Sequence, residues 1–337
     1  MTACRCEWNN KFFDMVRIRF FIPLLLLVSA LAWSENPAQN LLSQGRIDDA
    51  VAALKQSLQK TPNDALSHHL LSRAQYEVEN WSDAISEAQQ AVSLQPLNSN
   101  YHLWLGRSYG QKAENSSWVV AIGLAKKVRA EFERAVQLDS FNLDARTDLA
   151  EYYIEAPGFL GGGKDKARAQ AEAVASFDAP TAHWIQARIA EKEKKAGVAE
   201  REYKAAIQSS NGYPSYWLNL ASFYRRIGRL NEMEEAVSRA ISVQSSKPDV
   251  WVEAADVLYR GGRNFPTAVQ LLRRYLSSNA LVADAPAFQV HFLLGSIFER
   301  QGDRQAAMQE YRTSISLAQE FDSARDALNR LNGQAKK

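Results

Sequence analysis

Residues 217–224 read WLNLASFY and residues 251–258 read WVEAADVL. The two tryptophans stand 34 residues apart, and each opens the same order of large and small side chains. His102–Tyr109 (HLWLGRSY) and His291–Phe298 (HFLLGSIF) repeat that order with histidine first, and Ala307 and Tyr311 follow the second of them. Large apolar residues about one turn apart around a small one mark a helix that a second helix can approach closely. A 34-residue period of such segments predicts stacked helix pairs, each burying what its neighbour would otherwise expose.

Other units fill the intervals. Residues 40–62 supply the end of a first helix, Gly45 at a turn, Ala50 and Leu54 on a second helix, and Pro62 at the close. Residues 65–96 carry Leu71, Ser72, Ala84, Ala91 and Pro96, and residues 180–211 carry Ala187, Ala199, Tyr203 and Ala206. Phe321 to Leu331 is amphipathic and reads as a terminal capping helix. Two adjacent units break the period, with about ten extra residues after Tyr109 and about five after Tyr153. These insertions, near 110–127 and 155–165, are expected on one rim of the array, where repeat proteins carry their working loops.

Running in phase over nearly the whole chain after residue 34, the repeats resemble those of bacterial extracytoplasmic tetratricopeptide-repeat (TPR) proteins. The resemblance implies an all-α, right-handed solenoid of about eight helix-turn-helix repeats with a C-terminal capping helix. It implies a non-catalytic scaffold that takes a protein or peptide partner in a concave groove lined by the first helix of each unit. Aligned on that groove, one position near the end of the first helix reads Lys192, Arg226, Arg260 and Arg300 in the last four units. The same position reads Glu77, Gln111 and Glu155 in earlier ones. One turn inward stand Arg73, Arg107 and Arg188, beside Tyr76, Trp184 and Tyr259. Such a basic row with aromatic anchors would suit an acidic peptide or anionic helix. The competing reading is that these cations pair with carboxylates of adjacent helices or face water.

At the other end of the chain, Phe20 to Ala32 (FFIPLLLLVSALA) follows Arg17 and Arg19, with small residues at Ala30, Ala32 and Ser34. A short basic segment, an apolar run and a small-residue exit predict a signal peptide over residues 1–34. A start at Met15 gives that segment the proportions of a complete signal. The run is shorter than the roughly 20 apolar residues of a spanning helix; an uncleaved anchor is the alternative. The chain is therefore expected outside the cytoplasm, in a bacterial periplasm, with no membrane span after cleavage. Cys4 and Cys6 are the only cysteines, so the array can hold no disulfide framework. Without residues 1–34 the chain carries 36 basic and 36 acidic residues, a balance that argues against nucleic acid as a partner.

Residues 158–165 (GFLGGGKD) nearly spell a phosphate-binding loop, the basis of the alternative reading as a nucleotide-dependent or enzymatic component. Asp165 stands where a Ser or Thr should reach magnesium, and the preceding DLAEYYIEA reads as a helix where a strand is required. Four of the five histidines, His68, His102, His183 and His291, occupy the repeat position of Trp217 and Trp251. A residue recurring once per unit is chosen by packing and is not assembled around a metal. No cofactor, metal or catalytic residue is expected.

Overall fold

The computed structural model describes residues 37–243, 248–278 and 281–334; the predicted leader 1–34, with Met15 and both cysteines, lies outside them. Among the described residues every regular element is helical, and the helices pair in chain order. α1 (Pro37–Ser43) pairs with α2 (Ile47–Lys60), α3 (Ala65–Glu77) with α4 (Trp81–Leu94), and α5 (Ser99–Glu114) with α6 (Trp118–Leu138). Next come α7 (Leu143–Glu155) with α8 (Lys164–Ala175), and α9 (Ala179–Lys192) with α10 (Ala196–Ser209). α11 (Pro214–Arg226) pairs with α12 (Leu230–Ser242), α13 (Asp249–Gly261) with α14 (Phe265–Leu276), and α15 (Ala287–Gln301) with α16 (Arg304–Leu317). α17 (Asp322–Gln334) closes the array. These eight pairs and a terminal helix form the solenoid that the 34-residue period predicts.

Local chemistry starts the helices and small residues let them meet. Asp64, Asn98, Asn142 and Asp178 each accept a backbone N–H at the start of α3, α5, α7 and α9, meeting donors that a helix leaves unsatisfied. Ala50, Ala84, Ala167, Ala199 and Ala307 are wholly buried on the second helices α2, α4, α8, α10 and α16. The glycine of the Leu-Gly pair is fixed by the same closeness. A Cβ at Gly106 would lie 2.5 Å from the Phe132 ring, and one at Gly295 would lie 2.6 Å from Tyr311.

The histidines show how the period is used. His68, His183 and His291 each bring Nδ1 to within 2.6–2.8 Å of a glutamate 19 residues later, Glu87, Glu202 and Glu310. His102 meets Glu131 at 2.6 Å across 29 residues, so the clasp itself measures the ten-residue insertion. That insertion lengthens α6 to 21 residues, against 14 for α4. His69 is a different case. It packs against Tyr101 and Trp104, and burial, then Arg73, holds its pKa down at about 3, so it carries no charge.

The two ends of the array meet. One apolar cluster joins Leu42, Ile47 and Leu71 of the first units to Phe288, Ala318, Phe321 and Ala324 of the last. Gly45, at φ 71°, sits so close that a Cβ there would come 2.5 Å from the Ala287 nitrogen. Polar bonds frame this seam: Arg73 to Asp284 at 2.7 Å, and Gln289 to the Glu77 side chain at 2.8 Å. The Gln319 N–H donates to Asp48 and the Ser323 hydroxyl to Glu79. The helix expected as a simple cap does pack Ala327 and Leu331 onto Ala307 and Tyr311. Its entry, Phe321 and Ala324, faces the first unit. The described residues thus close end to end as a ring.

Candidate functional site: the inner wall of the ring

The first helices line the inside of the ring, and two cavities open there. The larger, about 1,060 Å³, lies beside the seam, with Tyr259, Arg260, Phe292, Arg300 and Arg330 on one side and Glu79 from the other end of the array. The second, about 560 Å³, is walled by Tyr76, Arg107, Asp148, Glu151 and Glu155, and by residues of both insertions. Each forms where the period is interrupted, by closure in one case and by insertion in the other.

Of the four cations of the expected row, three are matched by carboxylates. Lys192 reaches Glu155 at 2.6 Å. Arg226 donates twice to Glu191, at 2.8 Å in both bonds, and also to the Tyr203 hydroxyl. Arg188 bonds Glu151 and lies 3.4 Å from Glu155 and 3.3 Å from Glu191. α7, α9 and α11 are therefore tied by a ladder of alternating charge. Arg260 pairs within its own helix with Asp256 and is 62% exposed. Arg300 donates to the Tyr259 carbonyl at 2.7 Å and lies over the Tyr259 and Phe265 rings. Among the described residues no carboxylate lies within ion-pair distance of Arg300. Of the four row positions, Arg260 and Arg300 are the cations not tied to another unit's carboxylate.

The inward arginines are also engaged. Arg107 donates to Asp148 at 2.6 Å, while Arg73 belongs to the seam. Both guanidiniums lie over the Trp104 ring, at 4.5 Å for Arg73 and 5.1 Å for Arg107. Tyr76 packs edge-on to Trp104 and Trp81, and burial, then Glu77, pushes its hydroxyl up to about 12. Trp184 is half-buried and bridges the two largest apolar clusters, so it is a packing residue as placed. Trp104 is the aromatic that repeat alignment passes over, because its position holds Asp148, Ile185, Asn219 and Glu253 in the following units.

Glu77, the first member of the row position, stands at the seam. Burial is the largest influence and raises its pKa from 4.5 to about 7; Asp284 adds to this, against Gln289 and Arg73. An acid whose folded pKa is raised holds its proton more tightly when folded, so the penalty is full above about pH 7. It fades as pH falls toward the ordinary carboxylate range. Thermal stability of the closed ring should therefore be higher at pH 5 than at pH 8. Glu77→Gln should remove its part of that difference, on the order of 2 kcal/mol after allowing for partial exposure, and leave the part due to Glu253, which burial raises likewise to about 7. Equal pH dependence in the two proteins would place the titration elsewhere.

The glycine loop offers no phosphate cradle as it stands. A helix precedes it, and the N–H groups of Gly161, Gly162 and Gly163 are spent on the carbonyls of Gly158, Pro157 and Tyr153. A phosphate-binding loop turns those donors toward its ligand. Lys164 lies 3.8 Å from Glu193. Among the described residues no group of three His, Cys, Asp or Glu side chains is gathered to hold a metal ion. No described helix is long and apolar enough to cross a membrane.

Helix pairs stacked in series, with first helices turned to one inner face, define an α-helical repeat scaffold. Sequence profiles described as the tetratricopeptide repeat match residues 41–107, 214–247 and 252–325, and the chain is a tetratricopeptide-repeat protein. Solved structures similar to it include a thermophilic TPR protein of Thermus thermophilus, 18% identical over 66% of this chain and 98% of that one, with a TM-score of 0.43. A tetratricopeptide repeat protein of Parabacteroides merdae is 13% identical over 88% and 96% of the two chains, with a TM-score of 0.44. The C-terminal part of a TPR repeat-containing protein of Cytophaga hutchinsonii is 14% identical over 87% and 98%, with a TM-score of 0.41. Repeats of this class make protein-interaction scaffolds.

Proposed function

We propose that the chain is an exported, non-catalytic scaffold that holds an extended segment of a protein partner against the inner wall of the ring. The observation that carries this reading is the cavity beside the seam. It combines aromatic surface at Tyr259 and Phe292 with Arg260 and Arg300, the two row cations that no other unit's carboxylate claims. A large apolar contact framed by charges is the make-up of a binding hot spot. The cavity is lined by Arg260, Arg300 and Arg330 and also by Glu79, Asp256, Asp284, Glu299 and Asp326, so the partner segment is best matched by acidic side chains at Arg260 and Arg300 with apolar and basic ones around them. Each exposed ion pair contributes about 0–1 kcal/mol, so aromatic anchoring has to supply much of the affinity. Export rests on the leader-like segment 1–34 and its basic and apolar runs.

Site-specific photocrosslinking tests this. A photoreactive residue at Tyr259 should capture a discrete partner from envelope extract, and one at the outward Arg239 should not. Arg260→Glu with Arg300→Glu should reduce capture about tenfold or more while leaving the melting temperature in place. Reversing Arg226, by contrast, breaks the Glu191 ladder and mixes binding with stability. Equal capture from inner and outer positions would place the partner elsewhere.

A further inference from the structure

The charge ladder of the inner wall is interrupted in two units. In α9 the residue directly before the row position is Glu191, which accepts from the Tyr203 hydroxyl of its own unit and from Arg226 of the next. In α15 the corresponding residue is Glu299. It accepts from the Tyr311 hydroxyl at 2.7 Å and lies 3.0 Å from Arg330 of α17. Each carboxylate thus joins a tyrosine on its second helix to a guanidinium on the next first helix. Counting 34 residues on from Glu191 and Tyr203 reaches Arg225 and Val237, and the same step again reaches Tyr259 and Leu271. These two units lack both the carboxylate and the hydroxyl, while the first helices that follow keep the cation, as Arg260 and Arg300.

The second gap is closed within the chain, because Arg300 bonds the Tyr259 carbonyl and lies over its ring. The first is not. Arg225 is half-buried, its Nε is enclosed and finds no hydrogen-bond partner. Among the described residues no carboxylate lies within ion-pair distance of its guanidinium. The side chain reaches across to the end of α13, with Cγ 4.0 Å from where a Cβ on Gly261 would stand. Arg260, the residue before Gly261, is 62% exposed and paired with Asp256 of its own helix. Burial, then the charges of Arg226 and Arg260, lower the Arg225 pKa, against Asp256. A guanidinium removed from water without a partner is costly. Here Arg225, Arg226 and Arg260 stand against Glu191 and Asp256, so one more negative charge would balance the group.

We infer that an acidic side chain of the partner segment supplies it, its carboxylate lying between Arg225 and Arg260 as Glu191 lies between Arg188 and Arg226. This rests on the inner-wall reading above and adds Arg225 to it, as the residue that selects a carboxylate over a neutral side chain. The same wall shows the arrangement: Glu191 takes two 2.8 Å bonds from Arg226, with Arg188 at 3.3 Å. Guanidinium suits a carboxylate because two coplanar oxygens meet parallel N–H donors. A glutamine in that place can accept a bond but brings no charge, and leaves two arginines repelling each other. Arg260 also lines the larger cavity with Tyr259 and Phe292, so apolar residues beside the acid find a surface there.

Two capped peptides test this on the full chain: one carries a single glutamate between leucines, the other glutamine in its place. The Arg225 Nε–H resonance, assigned through Arg225→Gln, should shift on titration with the first and stay in place with the second. Arg225→Glu supplies the missing carboxylate from within. It should raise the melting temperature by about 1–3 °C, since a like-charge contact becomes a pair with Arg260. It should also lower affinity for the glutamate peptide about tenfold or more. An arginine with a merely structural role would give the opposite sign in stability. Arg225→Gln should weaken peptide binding in the same direction by less. An unmoved resonance with the glutamate peptide overturns the inference, as does an equal shift with both peptides or a lower melting temperature in Arg225→Glu. Full binding of the glutamate peptide by Arg225→Glu overturns it too. Loss of that binding in Arg260→Glu with Arg300→Glu would then leave the inner-wall reading standing, and retention there would remove both.

Discussion

Replacing Phe288 and Phe321 together by alanine should open the ring. Phe288 is wholly buried and Phe321 nearly so, their rings lie 5.0 Å apart, and Phe321 also meets Phe292. Truncating a buried phenylalanine costs about 3–5 kcal/mol. The polar bonds of the seam cannot replace that, because Asp284, the partner of Arg73, is well exposed and such pairs contribute about 0–1 kcal/mol. The rest of the array does not depend on the seam: the cluster spanning α9 to α15 is built from other residues, among them Tyr203, Phe223, Met233 and Tyr275. The double variant should keep its helical circular dichroism and scatter X-rays as a longer particle. Amide protection should fall in α1–α3 and persist in α11–α13. An unchanged scattering profile would show that closure does not rest on these rings.

The second large effect is expected at Glu191. Its side chain is mostly buried and accepts from the Tyr203 hydroxyl and twice from Arg226, with Arg188 at 3.3 Å. Burial pushes its pKa up, but the bonds from Arg226 and Tyr203 and the nearby positive charges prevail, holding it below the ordinary carboxylate range. Glu191→Ala leaves a buried hydroxyl without its acceptor and two guanidiniums facing each other. Removing one partner of such a set costs about 3–5 kcal/mol, whereas Tyr203→Phe, which keeps the packing, should cost about 1 kcal/mol. Denaturant midpoints of the two variants give the comparison. The pH sign is opposite to that of Glu77: a depressed acid stabilises fully above the ordinary carboxylate range, and the contribution is lost as pH falls through the folded value. A Glu191→Ala midpoint matching wild type would mean that the ladder is solvated and contributes little.

The helix pairs are legible in the sequence because the 34-residue period constrains the same positions in every unit. Trp217 and Trp251, the paired Leu-Gly steps and the buried alanines all answer to one helix-to-helix distance. The histidines are legible as packing residues for the same reason, although their glutamate partners become visible only once the second helices are placed. The basic row follows from phase, but its pairing does not. Glu151 sits one turn before the aligned position on α7 and Glu191 directly before it on α9, and lateral neighbours in a solenoid are set by curvature, which a period does not encode. The seam is illegible for a stronger reason. Asp48 and Gln319 are 271 residues apart, and no local pattern in α2 announces what lies opposite. The broken period locates the insertions, yet the contact of α6 with the glycine loop, from Arg129 to the Leu160 carbonyl, is not written in it.

Closure also changes what kind of variation the array can accept. An open solenoid can gain or lose a unit with little consequence, since each unit meets only its immediate neighbours. Here one unit more or fewer would carry Phe288 and Phe321 past Leu42 and Ile47, and the join would fail in register. The number of units becomes a fixed integer, set by the angle each contributes to the turn. Length changes can then be absorbed only within a unit, as the stretched α6 and the short turn at Gly158 do. The two insertions are the form that variation takes in a repeat protein whose count is already decided.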